Sequence, residues 1–168
     1  MPAVENEKVN DMDSTTLAEL FGRYADDVFR LAYSYLGSRS DAEDVCQGVF
    51  LTLAEGRGRP EVGKEKAWLL TCAANASKNQ LRSFWRKHVG QLDETIPFQD
   101  NEDREVHRAV MALPPKYRAA IHLYYFEGYS QGEIAGILGI SLTAVQTRVS
   151  RAKAMLRKEL SADESALQ

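Results

Sequence analysis

The sequence predicts an all-α protein of two small helical domains joined by a flexible linker, the second domain containing a helix-turn-helix. Three observations carry that prediction. Apolar residues recur at three- and four-residue steps through most of the 168 residues, and no segment alternates apolar with polar as a half-buried strand does. Residues 89–102 carry acids and Pro97 but few apolar side chains, the composition of a linker. The last third holds, in order, a cap, a short apolar helix, a glycine, a second cap and a long basic helix. The expected layout is a disordered start over 1–14, a three-helix domain over 15–88, the linker over 89–102, a second domain over 103–160 and a frayed tail over 161–168.

In the first domain, the capping-box pattern Thr16-x-x-Glu19 predicts the start of a long helix. Its buried side is Leu17, Leu20, Phe21, Tyr24, Val28, Leu31 and Tyr35, and Gly37 ends it. Ser40-x-x-Glu43 predicts the next start, with Ala42, Val45, Cys46, Val49, Phe50 and Leu53 inward. A Gly- and Arg-rich loop from about Glu55 to Gly63, interrupted by Pro60, leads to a third helix from about Glu65 to Lys87. Beyond the linker a helix begins near Asn101 or Asp103 and ends at Leu113-Pro114-Pro115. Pro115 opens the next helix, expected to run from Lys116 to Glu127 and to stop at Gly128.

The helix-turn-helix follows. Ser130-x-x-Glu133 caps a short helix whose Ile134, Ile137 and Leu138 share one face, and Gly139 takes the left-handed conformation just past its end. Ser141 caps the second helix, with Leu142, Val145, Val149, Ala152 and Leu156 as its inward stripe. Thr143, Gln146, Thr147, Ser150 and Arg151 are left pointing outward, and Arg148 and Lys153 flank them. Hydroxyls, an amide and guanidinium groups are what base edges and phosphates require. A solvated face on an ordinary helical hairpin is the competing reading, but caps, turn glycine and basic helix agree on the first.

Composition narrows the classes. The apolar share of 44% and charged share of 27% are those of a soluble globular protein. No apolar run reaches bilayer length and the acidic start is not a signal peptide, so the expected location is cytoplasmic with no membrane insertion. Cys46 and Cys72 sit on apolar faces, where buried free thiols are expected. His88, His107 and His122 are scattered, leaving no metal-ligand spacing and no expected cofactor. Gly56-Arg57-Gly58-Arg59-Pro60 lacks the ending of a phosphate loop. The paired acids Asp26/Asp27 and Glu43/Asp44 point to different helix sides, so no catalytic pair is expected and the protein is not read as an enzyme.

The formal net charge of −3 hides its segregation. Residues 57–88 carry eight basic and two acidic groups, and residues 141–160 five and one, while residues 89–105 between them carry one basic and six acidic. Two basic blocks across an acidic stretch predict two nucleic-acid surfaces. On the third helix Thr71, Asn75, Lys78, Arg82 and Arg86 form one polar, basic face, with Lys64 and Lys66 at its entrance. On the second helix the outer side is Asp41, Asp44, Gln47, Gly48 and Leu51. An exposed Leu ringed by acids suits docking better than solvation, although a stray Leu on a solvent face is the default.

In this order, four segments resemble the bacterial sigma factors of the extracytoplasmic-function (ECF) group, sigma-70 family, over roughly residues 17–160. They are Asp41-Ala-Glu-Asp-Val-Cys-Gln-Gly-Val-Phe50, Trp68-Leu-Leu-Thr-Cys-Ala-Ala-Asn75, Leu113-Pro-Pro-Lys-Tyr-Arg118, and Tyr129-Ser-Gln-Gly-Glu-Ile-Ala135 running into Val145-Gln-Thr-Arg-Val-Ser-Arg-Ala152. The resemblance implies two domains, regions two and four, with no room for the middle domain of larger sigma factors. It implies core RNA polymerase as partner, through its β′ coiled coil on Asp41, Asp44, Gln47 and Leu51 and through its β flap. It implies promoter DNA as the other partner. Lys64, Lys66, Asn75, Lys78, Arg82 and Arg86 would then serve the minus-ten element, where a base is flipped and held. Thr143, Gln146, Thr147, Arg148, Ser150, Arg151 and Lys153 would serve the minus-thirty-five element. Phe84 and Trp85 have two uses open to them, stacking on bases or packing into a core, the latter commoner at a helix end. An anti-sigma factor is a further partner the family implies. Gly48 stands where the family usually has an acid, and Gln146 where it often has Arg, which favours adenine over guanine there. The rival from another class is a stand-alone helix-turn-helix regulator acting as a dimer, which leaves the basic third helix unexplained.

Overall fold

The computed structural model describes residues 13–87 and 104–166. These form seven helices: α1 Ser14–Leu36, α2 Arg39–Ala54, α3 Glu65–Lys87, α4 Arg104–Ala112, α5 Pro115–Ile121, α6 Gln131–Leu138 and α7 Leu142–Ala166, with a π-helical turn His122–Phe126 continuing α5. Among the described residues there is no strand. Of the disordered start expected over 1–14, residues 1–12 lie outside the described residues, as does the linker 89–102, whereas Asp13 and Ser14 are ordered as the cap and first residue of α1.

Two expected starts are displaced. Helix α1 is capped by Asp13, whose carboxylate accepts from the Thr15 amide, and not by Thr16. Helix α2 is capped by Ser38, whose hydroxyl accepts from the Asp41 amide, two residues before Ser40. In each case an earlier oxygen-bearing side chain reaches a free first-turn amide, and the helix gains that length. Glycine ends α1 as expected: Gly37 has φ 64° and its amide bonds to the Tyr33 carbonyl at 2.8 Å. Helix α7 runs to Ala166, through the expected tail, because no Gly or Pro interrupts 161–166. Ser161 Oγ bonds back to the Arg157 carbonyl at 2.7 Å.

The expected single helix Lys116–Glu127 contains a change of pitch. From His122 to Phe126 the backbone widens, and the Glu127 amide bonds to the His122 carbonyl five residues back at 3.1 Å. This turn delivers Glu127 into the seam between the two halves of the molecule.

At that seam the two domains meet, and one apolar cluster runs through both. It joins Val28, Leu31, Val45, Leu53, Leu69 and Ala73 of the first half to Ala119, Leu123, Ile134, Leu138, Val145 and Val149 of the second. A satellite of Leu113, Tyr117, Ile121 and Ala152 lies within the second half. Helix α5 packs on α1, and α6 on α3. The second half thus keeps an apolar cluster of its own and lays further apolar side chains of α5 and α6 against α1 and α3. The α2 stripe is buried throughout as expected, while Leu142 on α7 is about half exposed and Phe21 on α1, also half exposed, packs edge to face on Phe50 at 5.0 Å.

Candidate nucleic-acid interface and the seam that covers it

Helices α6 and α7 are set at their turn by local chemistry. Ser130 and Glu133 make the full reciprocal capping box, at 3.2 Å and 2.8 Å. Gly139 has φ 66°, and Ser141 Oγ accepts from the Ala144 amide at 3.1 Å. With Val145, Val149 and Ala152 buried, Thr143, Gln146, Ser150 and Arg151 are exposed and Thr147 half-buried. Two flanking cations are not free in the same way. Arg148 is half-buried and turned towards Lys78 and Tyr35 of the first half. Lys153 lies over the rings of Tyr124 and Tyr125, at 5.3 and 5.4 Å.

On α3 the expected continuous basic face is divided. Asn75, Arg82 and Arg86 are exposed. Thr71 turns its hydroxyl onto the Ala67 carbonyl at 2.8 Å. Lys78 is half-buried and donates to the carbonyl of Leu138, the last residue of α6. Burial, with Arg148 and Arg82 nearby, pushes the Lys78 ammonium below its ordinary pKa. Lys64 is exposed and pairs with Glu61 at 2.9 Å. Lys66 lies not at an open entrance but in the seam, 3.0 Å from Glu127 and 3.8 Å from Asp27, with the Tyr129 ring 5.7 Å away. Phe84 and Trp85, both partly exposed, meet edge to face at 6.2 Å.

The loop between α2 and α3 is pinned by Gly58, where a Cβ would sit 2.6 Å from the Trp68 ring. Only glycine allows that approach. On α2, Asp44, Gln47 and Leu51 are exposed, Leu51 at 55%, and Asp41 is half-buried at the first turn. Nothing among the described residues covers this side.

Sequence reasoning missed the residues that close the seam. Arg118 is buried, and its guanidinium donates to Ser34 O at 2.6 Å and Tyr35 O at 2.9 Å, the terminal carbonyls of α1, and to Met111 O of α4 at 2.9 Å. One side chain thus satisfies orphan carbonyls of two helices from opposite halves. Burial lowers its pKa, though an arginine stays charged regardless. Nearby, the His122 ring 3.5 Å from one Glu127 oxygen and the Lys66 ammonium on the other hold the Glu127 carboxyl down at about 2, against burial. Asp27 moves the other way, raised by burial and by the Glu127 charge. The signal for Arg118 was its place in Leu113-Pro-Pro-Lys-Tyr-Arg118, but nothing local says which carbonyls it meets. Both cysteines are free; Cys46 is buried and Cys72 half-buried.

Fold and turn geometry define an all-α protein of the helix-turn-helix class. Comparison with known proteins is more specific. Residues 20–87 match the family Sigma-70 region 2, and residues 103–156 match Sigma-70, region 4. The chain is 32% identical over 166 residues to the RNA polymerase sigma factor CarQ of Myxococcus xanthus, spanning 92% of this chain and 94% of that protein. It is 31% identical over 155 residues to the ECF RNA polymerase sigma factor SigE of Mycolicibacterium smegmatis, spanning 84% of this chain and 60% of that protein. The fold is similar to that of the sigma factor RpoE in its complex with the anti-sigma factor NepR from Bartonella quintana: TM-score 0.75, 23% identity, 89% of this chain and 99% of that one. It is also similar to CnrH bound to the cytosolic domain of CnrY, with TM-score 0.61 at 24% identity, over 89% of this chain and 90% of that one. The chain belongs to the sigma-70 family, in its ECF group.

Proposed function

We propose that this ECF sigma factor acts by docking on core RNA polymerase through the outer side of α2 and delivering two DNA-reading elements to a promoter. Sigma factors are regulatory proteins, and this chain is read as non-enzymatic and cytoplasmic; among the described residues no helix is long and apolar enough to cross a membrane. The domain roles follow the family: residues 15–88 for polymerase and the minus-ten element, residues 103–160 for the minus-thirty-five element and the β flap. The observation that carries the docking assignment is the α2 side itself, where a half-exposed Leu51 sits among Asp44 and Gln47 with its opposite stripe fully buried. An exposed aliphatic side chain ringed by polar groups is the anatomy of an interface centre.

For DNA, Thr143, Gln146, Thr147, Ser150 and Arg151 on α7 supply base and phosphate contacts, with Arg148 and Lys153 as phosphate partners. Asn75, Arg82 and Arg86 on α3 are available for the minus-ten strand, and Lys64 once it leaves Glu61. Lys66 and Lys78 become available only when the seam opens. Docking on a larger enzyme that separates the halves supplies that opening, and tethering then lets two weak contacts act together. An anti-sigma factor holding the closed arrangement is the matching negative regulator, in line with the complexes of RpoE with NepR and of CnrH with CnrY. Run-off transcription with core enzyme on a genomic library tests the reading. Initiation from discrete promoters, lost when α2 is altered at Leu51, is expected; protection of a promoter at physiological salt by the protein alone would favour the stand-alone regulator.

A further inference from the structure

The seam borders an open cleft of about 330 Å³, in which the promoter and polymerase readings give no part to Tyr35, Trp85 or Lys116. Four cations line it from both halves: Lys78 and Arg82 on α3, Lys116 at the start of α5 and Arg148 on α7. Among the described residues no carboxylate lines it and none of the four makes a salt bridge. Tyr35, 2% exposed, forms part of the wall, and its hydroxyl has no hydrogen-bond partner among the described residues. Trp85 contributes a half-exposed flat ring to the same wall.

We propose that this cleft binds a small phosphorylated ligand of the nucleoside polyphosphate class, and that binding holds the two halves closed. Four cations around one cleft repel one another, with only a carbonyl acceptor for Lys78 and the Tyr117 ring, 5.1 Å away, for Lys116, and the group that relieves them carries several negative charges on few atoms. A di- or triphosphate does so, with its charge concentrated on one short run of atoms. The two guanidinium groups match phosphate oxygens in pairs, and the ammonium groups add point charge. The cleft volume and its mixture of apolar wall and convergent polar groups are those of small-ligand sites. The Trp85 ring gives a base a face to stack on. Because Lys78, Arg82 and Arg148 also belong to the proposed DNA contacts, the ligand and a promoter would compete for them. The site itself does not depend on the promoter assignment.

Isothermal titration of the full chain with inorganic tripolyphosphate and with a nucleoside triphosphate tests this. One saturable site per chain is expected, with Trp85 fluorescence responding to the nucleotide and the response lost in Trp85→Phe. Lys116 is exposed, so Lys116→Glu should fold normally, checked by circular dichroism, and should weaken binding about tenfold or more. Lys158→Glu, an equal charge change on α7 outside the cleft, should leave binding within about twofold, since exposed distant charges are screened. Arg82→Gln gives an independent second loss. Absence of saturable binding, equal losses in Lys116→Glu and Lys158→Glu, or a hexaglutamate peptide displacing tripolyphosphate at lower concentration would each overturn the proposal, the last in favour of an acidic polypeptide.

Discussion

The outer side of α2 and the basic side of α3 are alike in sequence and unlike in the structure. Both are what remains when a helix has turned its apolar stripe into the first domain. Yet Asp44, Gln47 and Leu51 stay open, while Lys66 and Lys78 are drawn under the second half. Helical periodicity tells which side chains are excluded from their own domain's core; it says nothing about what another domain will lay over them. On the proposed reading, part of the DNA-facing side of α3 is covered and the polymerase-facing side of α2 is open, so such a protein would meet the enzyme before its full DNA surface is free.

If the seam is what separates the two sides, removing its central clasp should erase the difference. Arg118→Ala takes a charged donor from three carbonyls at once. Hydrogen bonds to charged groups contribute about 1.5–3 kcal/mol each, and water will recover part of that at the opened carbonyls, so a net loss of about 3 kcal/mol is expected. A lowered urea midpoint together with a larger radius of gyration in solution checks it. Arg118→Ala that loses stability while keeping the parent radius would show the clasp to be internal to α4 and α5, through Met111, and not a bond between halves.

The open side is challenged next by Leu51→Glu. Truncating or reversing a central interface anchor costs about 2 kcal/mol, or about thirtyfold in affinity, so binding to core enzyme should weaken by that order. Stability should hardly change, because Leu51 is 55% exposed. Affinity for core within twofold of the parent would remove α2 from the docking surface.

Acid sharpens the seam itself. Glu127 is held at about 2 against an ordinary 4.5, so its ionised form stabilises the closed state above the ordinary value. That contribution falls as pH drops through the window from about 5 towards 2. Asp27 is shifted upward and opposes this in part, since its protonated form is favoured in the closed state. The net expectation is a seam that loosens on acidification, and a Glu127→Gln variant whose urea midpoint falls less over the same window. Parallel curves for the two proteins would mean that the Lys66–Glu127 bond contributes nothing.

Much of this molecule was legible from residue order. The capping box at Ser130, the left-handed Gly139 and the α2 stripe all came from local patterns, because each is decided within four residues by backbone bonds and helical pitch. The cap positions of α1 and α2 slipped by two or three residues because several Ser, Thr and Asp stand in a row and any can accept a first-turn amide. Three features were not legible: the π-helical turn, the partners of Arg118 and the burial of Lys66 and Lys78. The last two depend on contacts between residues tens of positions apart, up to 84 for Arg118 and Ser34, and no capping or apolar-period signal marks the first. Lysines on an amphipathic helix look solvated until a second body is placed over them.

The smallest expected effect lies on the open side. Gly48 is exposed in the middle of α2, and a Cβ there meets nothing within 4 Å. Its φ is not in the left-handed region, so alanine fits the helix without strain. The Thr52 hydroxyl bonds to the Gly48 carbonyl at 2.9 Å, a backbone contact that alanine preserves. Gly48→Ala should therefore stabilise the protein by about 0.5–1 kcal/mol, by reducing the freedom of the unfolded chain and raising helix propensity. The urea midpoint should rise with the slope unchanged, since no surface is newly buried. The same change probes docking, because Gly48 borders Asp44 and Gln47. If core affinity falls while stability rises, the partner approaches the backbone at this point and the missing side chain is part of the surface; if affinity is unchanged, contact is confined to Asp44, Gln47 and Leu51.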